Sequence, residues 1–279
     1  MSIRLYQLDA FTDQLFAGNP AAVCPLGDWL PDEVMQQIAA ENNLAETAFY
    51  VRTHDENSFH IRWFTPTVEV DLCGHATLAT AHVIFFLENS GVTANKITFD
   101  SRSGPLSVCR EQHDDGADWL VLDFPADVVH KANLQPPALL ASLSMSGSGS
   151  KPVEILKGKT DYMVVYESQA AVESLVPDFR EMVTVPARGV IVTAPGDDCD
   201  FVSRFFGPQS GIDEDPVTGS AHTTLTPYWA ERLGKTELTA RQISRRGGYL
   251  RCKLNTSNPD EARVDIAGQV KLYLTGEIL

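Results

Sequence analysis

Positive charge is scarce in this sequence. Lys and Arg number 22 against 37 Asp and Glu, a formal net charge of −15 over 279 residues. A chain this acidic repels phosphate backbones unless it gathers its cations into a stripe, and its densest basic cluster, Arg241, Arg245, Arg246 and Arg251, is sparse. Nucleic acid and anionic membranes are therefore not expected partners. Long apolar runs are missing too. Ala81-His82-Val83-Ile84-Phe85-Phe86-Leu87 is core-length, well short of the roughly 18 residues of a membrane span. The opening Met1-Ser2-Ile3-Arg4-Leu5-Tyr6 is cut short by Gln7 and Asp9, which is not a signal-peptide layout, so a cytoplasmic location is expected. The five cysteines (Cys24, Cys73, Cys109, Cys199, Cys252) are scattered, with no Cys-x-x-Cys pair. That pattern points to reduced thiols, not to a disulfide framework or a zinc cage.

What remains is a chain 43% hydrophobic, enough for a substantial core, and long enough for one large or two medium domains. Alternation predicts strands at Arg4–Leu8 and Phe59–Phe64. Further strands are expected at 48–52, 96–99, 106–110, 119–124, 162–166, 189–193, 201–206, 249–254 and 270–274. A helix is expected from Pro31 to Asn42-Asn43, with Asp32 and Glu33 at its positive end and Val34, Met35, Ile38 and Ala39 on one apolar face. A second runs from Gly74-His75 to about Leu87. A third runs from Gly219-Ser220 to Leu233 with Gly234 as its stop, and Pro227 inside it predicts a kink or interruption.

The second and third helices begin alike. Phe64-Thr65-Pro66 precedes Cys73-Gly74-His75-Ala76, and Phe206-Gly207-Pro208 precedes Thr218-Gly219-Ser220-Ala221, about half a chain later. This suggests a duplicated unit. The Ser/Gly-rich stretch Ser142–Ser150 misses the midpoint of that repeat and reads as a loop within the second half. Each helix start offers unpaired N–H groups and about half a positive charge, and a glycine there lets a ligand approach the backbone. Two such tips suit a small anion such as a carboxylate. Ordinary buried helices with small residues at tight contacts fit the same pattern. Glu46 precedes an apolar strand, facing inward or sitting in a solvated loop. His75 is a proton donor or a structural histidine. Asp215 is a catalytic carboxylate or a favourable charge near a helix start. Ser220 is a ligand contact or a first-turn serine, and Cys73 a site thiol or a small buried hydrophobe.

At these residues the sequence resembles the PhzF-like (phenazine biosynthesis-like) isomerase family, of diaminopimelate-epimerase fold. The resemblance is carried by Asp9-Ala10-Phe11-Thr12, Gly18-Asn19-Pro20-Ala21, Glu46-Thr47-Ala48-Phe49 and Arg62-Trp63-Phe64-Thr65-Pro66. It continues through Glu69-Val70, Cys73-Gly74-His75-Ala76-Thr77, Asp123-Phe124-Pro125-Ala126, Glu214 to Ala221, and Gly268 to Glu277. It implies an α+β fold of two pseudo-symmetric lobes, each a mixed barrel-like β-sheet around a central helix, with the site between lobes. Residues 1–118, completed by a strand at 268–279, form the first lobe and 119–267 the second. It implies a homodimer, a small anionic substrate, and no metal or cofactor. The family's glutamate, which moves a proton between carbons of an unsaturated amino acid, maps to Glu46. The supporting catalytic residues map to His75, Asp215 and Ser220, and the substrate-binding positions are Cys73, Gly74, Ala76, Thr218, Gly219 and Ala221. Diaminopimelate epimerase uses a cysteine ahead of each helix. Here the second position is Thr218, whose unactivated hydroxyl is no match for a thiolate. Two-thiol chemistry is therefore not expected. The alternatives are an amino-acid racemase or epimerase using Cys73, and a non-catalytic small-molecule-binding protein.

Overall fold

The computed structural model describes residues 2–88, 92–112, 116–143, 151–256 and 262–279. The chain divides into two compact units, Met1–Phe124 with Asp265–Leu279, and Pro125–Val264. The first unit runs β1 (Ile3–Ala10), β2 (Asn19–Leu26), α1 (Asp32–Asn42), β3 (Glu46–Arg52), β4 (Ser58–Phe64), β5 (Glu69–Val70), α2 (Gly74–His82), β6 (Lys96–Ser101), β7 (Gly104–Gln112) and β8 (Asp118–Pro125). The second runs β9 (His130–Lys131), α3 (Pro137–Leu143), β10 (Glu154–Lys157), β11 (Tyr162–Val165), α4 (Gln169–Glu173), α5 (Phe179–Met182), β12 (Val190–Pro195), β13 (Phe201–Gly207), β14 (Ile212–Asp215), α6 (Gly219–Leu233), β15 (Glu237–Gln242) and β16 (Gly248–Asn255). Strand β17 (Arg263–Gly268) leads the chain back, and β18 (Val270–Ile278) pairs antiparallel with β1.

The two units share one pairing plan. In the first, β1–β2 is antiparallel, β2–β3 parallel, β3–β4 antiparallel, and β4 then pairs antiparallel with short β5 and parallel with β6. In the second, β10–β11 is antiparallel, β11–β12 parallel, β12–β13 antiparallel, and β13 pairs antiparallel with short β14 and parallel with β15. In both, helical structure lies within the parallel crossover, and a further helix follows the short strand. The fold is α+β, with two pseudo-symmetric units, each a mixed barrel-like sheet around a central helix.

Local sequence explains the helices. Helix α1 buries Met35 and Ala39 against Cys24, Phe49 and Phe64, and closes on Asn43 in the left-handed region. Val34, expected on its apolar face, is instead exposed. Helix α2 is built of small residues, and every one from His75 to Ala81 is buried. Its polar hydroxyls are satisfied internally: Thr77 Oγ1 donates to the Cys73 carbonyl and Thr80 Oγ1 to that of Ala76, at 2.5 and 2.7 Å. The expected run to Leu87 changes character after His82, where Val83–Leu87 forms a π-helical turn. Pro227 does not interrupt α6. A proline has no N–H for the carbonyl one turn back, that of Thr223. The Asp127 backbone N–H takes that acceptor at 3.1 Å, so no buried carbonyl is orphaned. Of the expected Ser/Gly-rich loop, Ser142 and Leu143 close α3, and residues 144–150 lie outside the described residues. No described helix is long and apolar enough to cross a membrane.

Candidate active site

In the first unit, Glu46 opens β3 and His75 is the second residue of α2, after Cys73 in extended backbone at the helix start. The three side chains are buried together, with candidate donor atoms all within 4.8 Å. His75 Nε2 lies 3.1 Å from Glu46 Oε2. The ring's in-plane N–H direction misses that oxygen, so both atoms are buried without a hydrogen-bond partner among the described residues. On the other side of the ring, Nδ1 faces the Asn19 side-chain amide at 3.2 Å and Cys73 Sγ at 3.5 Å. An amide nitrogen donates to the bare Nδ1 of a neutral ring, and a flipped amide oxygen accepts from imidazolium. In the imidazolium, and in the neutral tautomer with Nδ1 bare, Nε2 carries a proton on the Glu46 side.

Burial opposes charge on His75, but the negative charges available on Cys73 and Glu46 place its pKa well above the usual imidazole value. Burial, and secondarily Glu46, push the Cys73 thiol up to about 11, although His75 and the Ala76 backbone N–H favour the thiolate. Cys73 is therefore a neutral thiol near pH 7. Glu46, Cys73 and His75 are also the one set of metal-ligand type among the described residues. One donor atom from each lies within 4.8 Å of the other two, close enough for the three to hold one ion.

In the second unit, Thr218 is extended at the start of α6, and its hydroxyl donates to Asp215 Oδ2 at 2.5 Å. Gln242 pins this turn. Its Oε1 accepts from the Thr218 N–H at 2.8 Å, and its Nε2 donates to the Asp215 carbonyl at 2.7 Å and to Thr218 Oγ1 at 3.2 Å. Ser220 Oγ accepts from Arg188 Nη1 at 2.9 Å. Gly219 and Ala221 are buried within the first turn.

The structure thus brings Glu46, Cys73 and His75 together in one unit, at the tip that includes Gly74 and Ala76. It brings Asp215, Thr218 and Ser220 to the tip of α6 in the other. Sequence reasoning assigned no role to Asn19, Gln242, Arg188 or Asp161. Asn19 had a signal in Gly18. At φ +65°, a Cβ on Gly18 meets the Ala10 carbonyl oxygen at 2.2 Å, so only glycine delivers the chain to Asn19 this way. Gln242 had one too. Leu238, Ala240 and Gln242 alternate inward on β15, which places an uncharged polar side chain in the interior. Arg188 and Asp161 are loop residues without such a pattern.

Comparison with known proteins adds four findings. Residues 8–276 match the family model described as phenazine biosynthesis-like protein. An uncharacterized isomerase of Pseudomonas aeruginosa is 48% identical over 278 residues, covering 100% of this chain and 99% of that protein. A crystal structure of a PhzF-family phenazine biosynthesis protein from Enterococcus faecalis superposes with a TM-score of 0.89 at 44% identity, covering 100% of both chains. A hydroxyproline epimerase from Agrobacterium vitis, at 11% identity and a TM-score of 0.60 over 99% of this chain and 91% of that one, shares the fold.

Proposed function

The chain belongs to the phenazine biosynthesis-like protein family, whose relatives include named isomerases, and on that premise we propose that it moves a proton between carbons of a small, carboxylate-bearing, amino-acid-like substrate. The reaction is general acid/base catalysis that needs neither metal nor cofactor. Glu46 takes a proton from one carbon, the electron pair spreads into adjoining unsaturation, and Glu46 returns the proton to another carbon. His75 Nε2–H orients the carboxyl group and the substrate. The backbone N–H groups at Gly74-His75-Ala76 stabilise developing charge, where one such donor is typically worth about 3–4 kcal/mol, and those at Gly219-Ser220-Ala221 suit a carboxylate. Asp215 and Ser220 support substrate placement.

The observation that carries this reading is the facing pair Glu46 Oε2 and His75 Nε2, buried, 3.1 Å apart, and without hydrogen-bond partners among the described residues. Cys73 is a poor alternative base. With its pKa at about 11, roughly one part in ten thousand is thiolate at pH 7. Thr218 already spends its hydroxyl proton on Asp215.

The test is substrate-dependent exchange of carbon-bound hydrogen in deuterated water, screened over small amino and hydroxy acids. Glu46→Gln should lose about 10²- to 10⁴-fold in exchange rate on the active compound while keeping its fold. An unimpaired variant removes Glu46 as the base. Binding without exchange across the screen favours a non-catalytic protein.

A further inference from the structure

Arg188 reaches the start of α6 from the loop ahead of β12. Its Nε donates to Asp161 Oδ1 at 2.9 Å, its Nη2 to Asp161 Oδ2, and its Nη1 to Ser220 Oγ at 2.9 Å. The guanidinium carbon lies 5.3 Å from the centroid of the Phe205 ring. Gly189, next in the chain, makes room for that ring, since a Cβ there would fall 2.3 Å from Phe205 Cζ. The Arg188 backbone N–H is tied to the Thr160 carbonyl at 3.0 Å. Asp161 itself is only 1% exposed. A planar fork held by a buried carboxylate has one orientation, so the direction of Nη1 is set before any ligand arrives.

This fixes what the Ser220 hydroxyl can do. A serine hydroxyl has one hydrogen and two lone pairs, and an arginine cannot give up its proton. Nη1 therefore always fills one lone pair of Oγ, and the hydroxyl hydrogen must point elsewhere. Ser220 is the second residue of α6, so no carbonyl one helical turn earlier can take it. Among the described residues that hydrogen has no acceptor within bonding distance, whereas the Ser220 carbonyl is already used by Thr223 Oγ1 at 2.7 Å.

We propose that Arg188, braced by Asp161, is a positioning residue that holds the Ser220 hydroxyl as a donor, so that the start of α6 selects an oxyanion, the substrate carboxylate, over a neutral amide. This rests on the reading of Ser220 as a substrate contact. It differs from charge attraction, because Asp161 balances the guanidinium and what Arg188 supplies is direction.

The test uses acetate and acetamide as probes of the intact protein, followed at the Gly219, Ser220 and Ala221 backbone amides by NMR. Arg188→Lys keeps the charge and a partner for Asp161, but one ammonium group cannot grip both Asp161 oxygens and Ser220. Ser220→Ala and Arg188→Lys should each weaken acetate binding about tenfold, the scale of one hydrogen bond to a charged group, and weaken acetamide less, because its carbonyl oxygen accepts from the same hydroxyl without the charge. The double variant should bind acetate within about twofold of the weaker single variant, because both changes remove the same interaction. Should Arg188→Lys fold poorly, Asp161→Asn loosens the same fork and should weaken acetate only where Ser220 is present. Multiplying effects in the double variant overturn the proposal, as does Arg188→Lys binding normally while Ser220→Ala does not. An acetate affinity indifferent to Ser220→Ala instead overturns the reading of Ser220 on which the proposal stands.

Discussion

At the start of α2, Cys73 takes φ −146° and ψ 112°, and at the start of α6 Thr218 takes φ −110° and ψ 97°; neither makes a side-chain cap. In both helices the residue four positions on reaches back to that first carbonyl. Thr77 Oγ1 donates to Cys73 O at 2.5 Å and His222 Nδ1 to Thr218 O at 2.8 Å. The backbone plan is thus the same in the two units, and the side chains on it have diverged. The first tip carries ionisable groups with unsatisfied faces, Glu46 and His75. The second carries groups whose hydrogen bonds are already committed: Thr218 to Asp215, Gln242 across the turn, and Arg188 to Ser220. On the reading proposed above, the two helix starts offer equivalent backbone donors and the proton moves at the first alone.

The sharpest way to break this comparison is to disable each tip in turn. Glu46→Gln should cost exchange about 10²- to 10⁴-fold. Ser220→Ala, which removes one donor to a charged group, should cost about tenfold and act mainly on KM. Equal losses at the two tips, or a larger one at Ser220, would place the proton chemistry in the wrong unit.

Histidines give the next contrast. Burial lowers His222 to about 4, although its bond to the Thr218 carbonyl works the other way. His75 is shifted in the opposite direction. With a folded pKa of about 4 against an ordinary 6.5, His222 contributes stability that is complete above pH 6.5 and is lost as pH falls toward 4. That loss is about 3 kcal/mol. His82, lowered to about 4 mainly by burial, adds a loss of the same sign in the first unit. Any stabilisation from His75 runs the other way, present at low pH and lost as pH rises through its elevated pKa. Urea melts between pH 7.5 and 4 should show a shallower acid loss in His222→Gln than in the native chain. Identical slopes would mean that His222 already titrates normally in the fold.

A smaller effect is expected at Gln242. Gln242→Leu strands the Thr218 N–H and takes one donor from the Asp215 carbonyl, at a cost of about 1–3 kcal/mol in urea melts. It should leave Glu46-dependent exchange diminished but not abolished. A variant as stable as the parent would show that water replaces the amide without loss.

Much of this was legible in the sequence, and the exceptions have physical reasons. Strands with one buried face, such as Phe59 to Phe64, announce themselves by alternation. β2 does not: Asn19-Pro20-Ala21-Ala22-Val23-Cys24-Pro25-Leu26 is buried on both faces from Ala21 to Cys24 and contains two prolines. Helices α4 and α5, of 5 and 4 residues, are too short to show a period. The boundary between the repeats is expected near Asp118–Pro125, the span of β8, and the compact units divide between Phe124 and Pro125. At the site, each residue type could be singled out from its local motif. That Glu46 and His75 meet could not, because it depends on where β3 begins relative to α2. Nor could the Asp161–Arg188–Ser220 chain, which joins three loops or loop ends distant in sequence.

The smallest predicted effect discriminates most finely between the proposed isomerase and a racemase that uses Cys73. Cys73→Ser replaces a buried thiol by a hydroxyl at a helix-start position where serine is favoured, and the side chain there makes no cap at present. The gain from a new cap, about 0.5–1 kcal/mol, offsets much of the cost of burying the hydroxyl, so the fold should be nearly unchanged. The Cys73 carbonyl that anchors Thr77 is untouched. If Glu46 carries the proton, exchange should stay within about threefold of the parent, since only a contact on His75 Nδ1 has changed and Asn19 still faces that nitrogen. If Cys73 carries it, the serine, with no base to activate it, should lose about as much as Glu46→Gln does, and the two helix starts would then differ by the presence of a reactive thiol and not by a carboxylate.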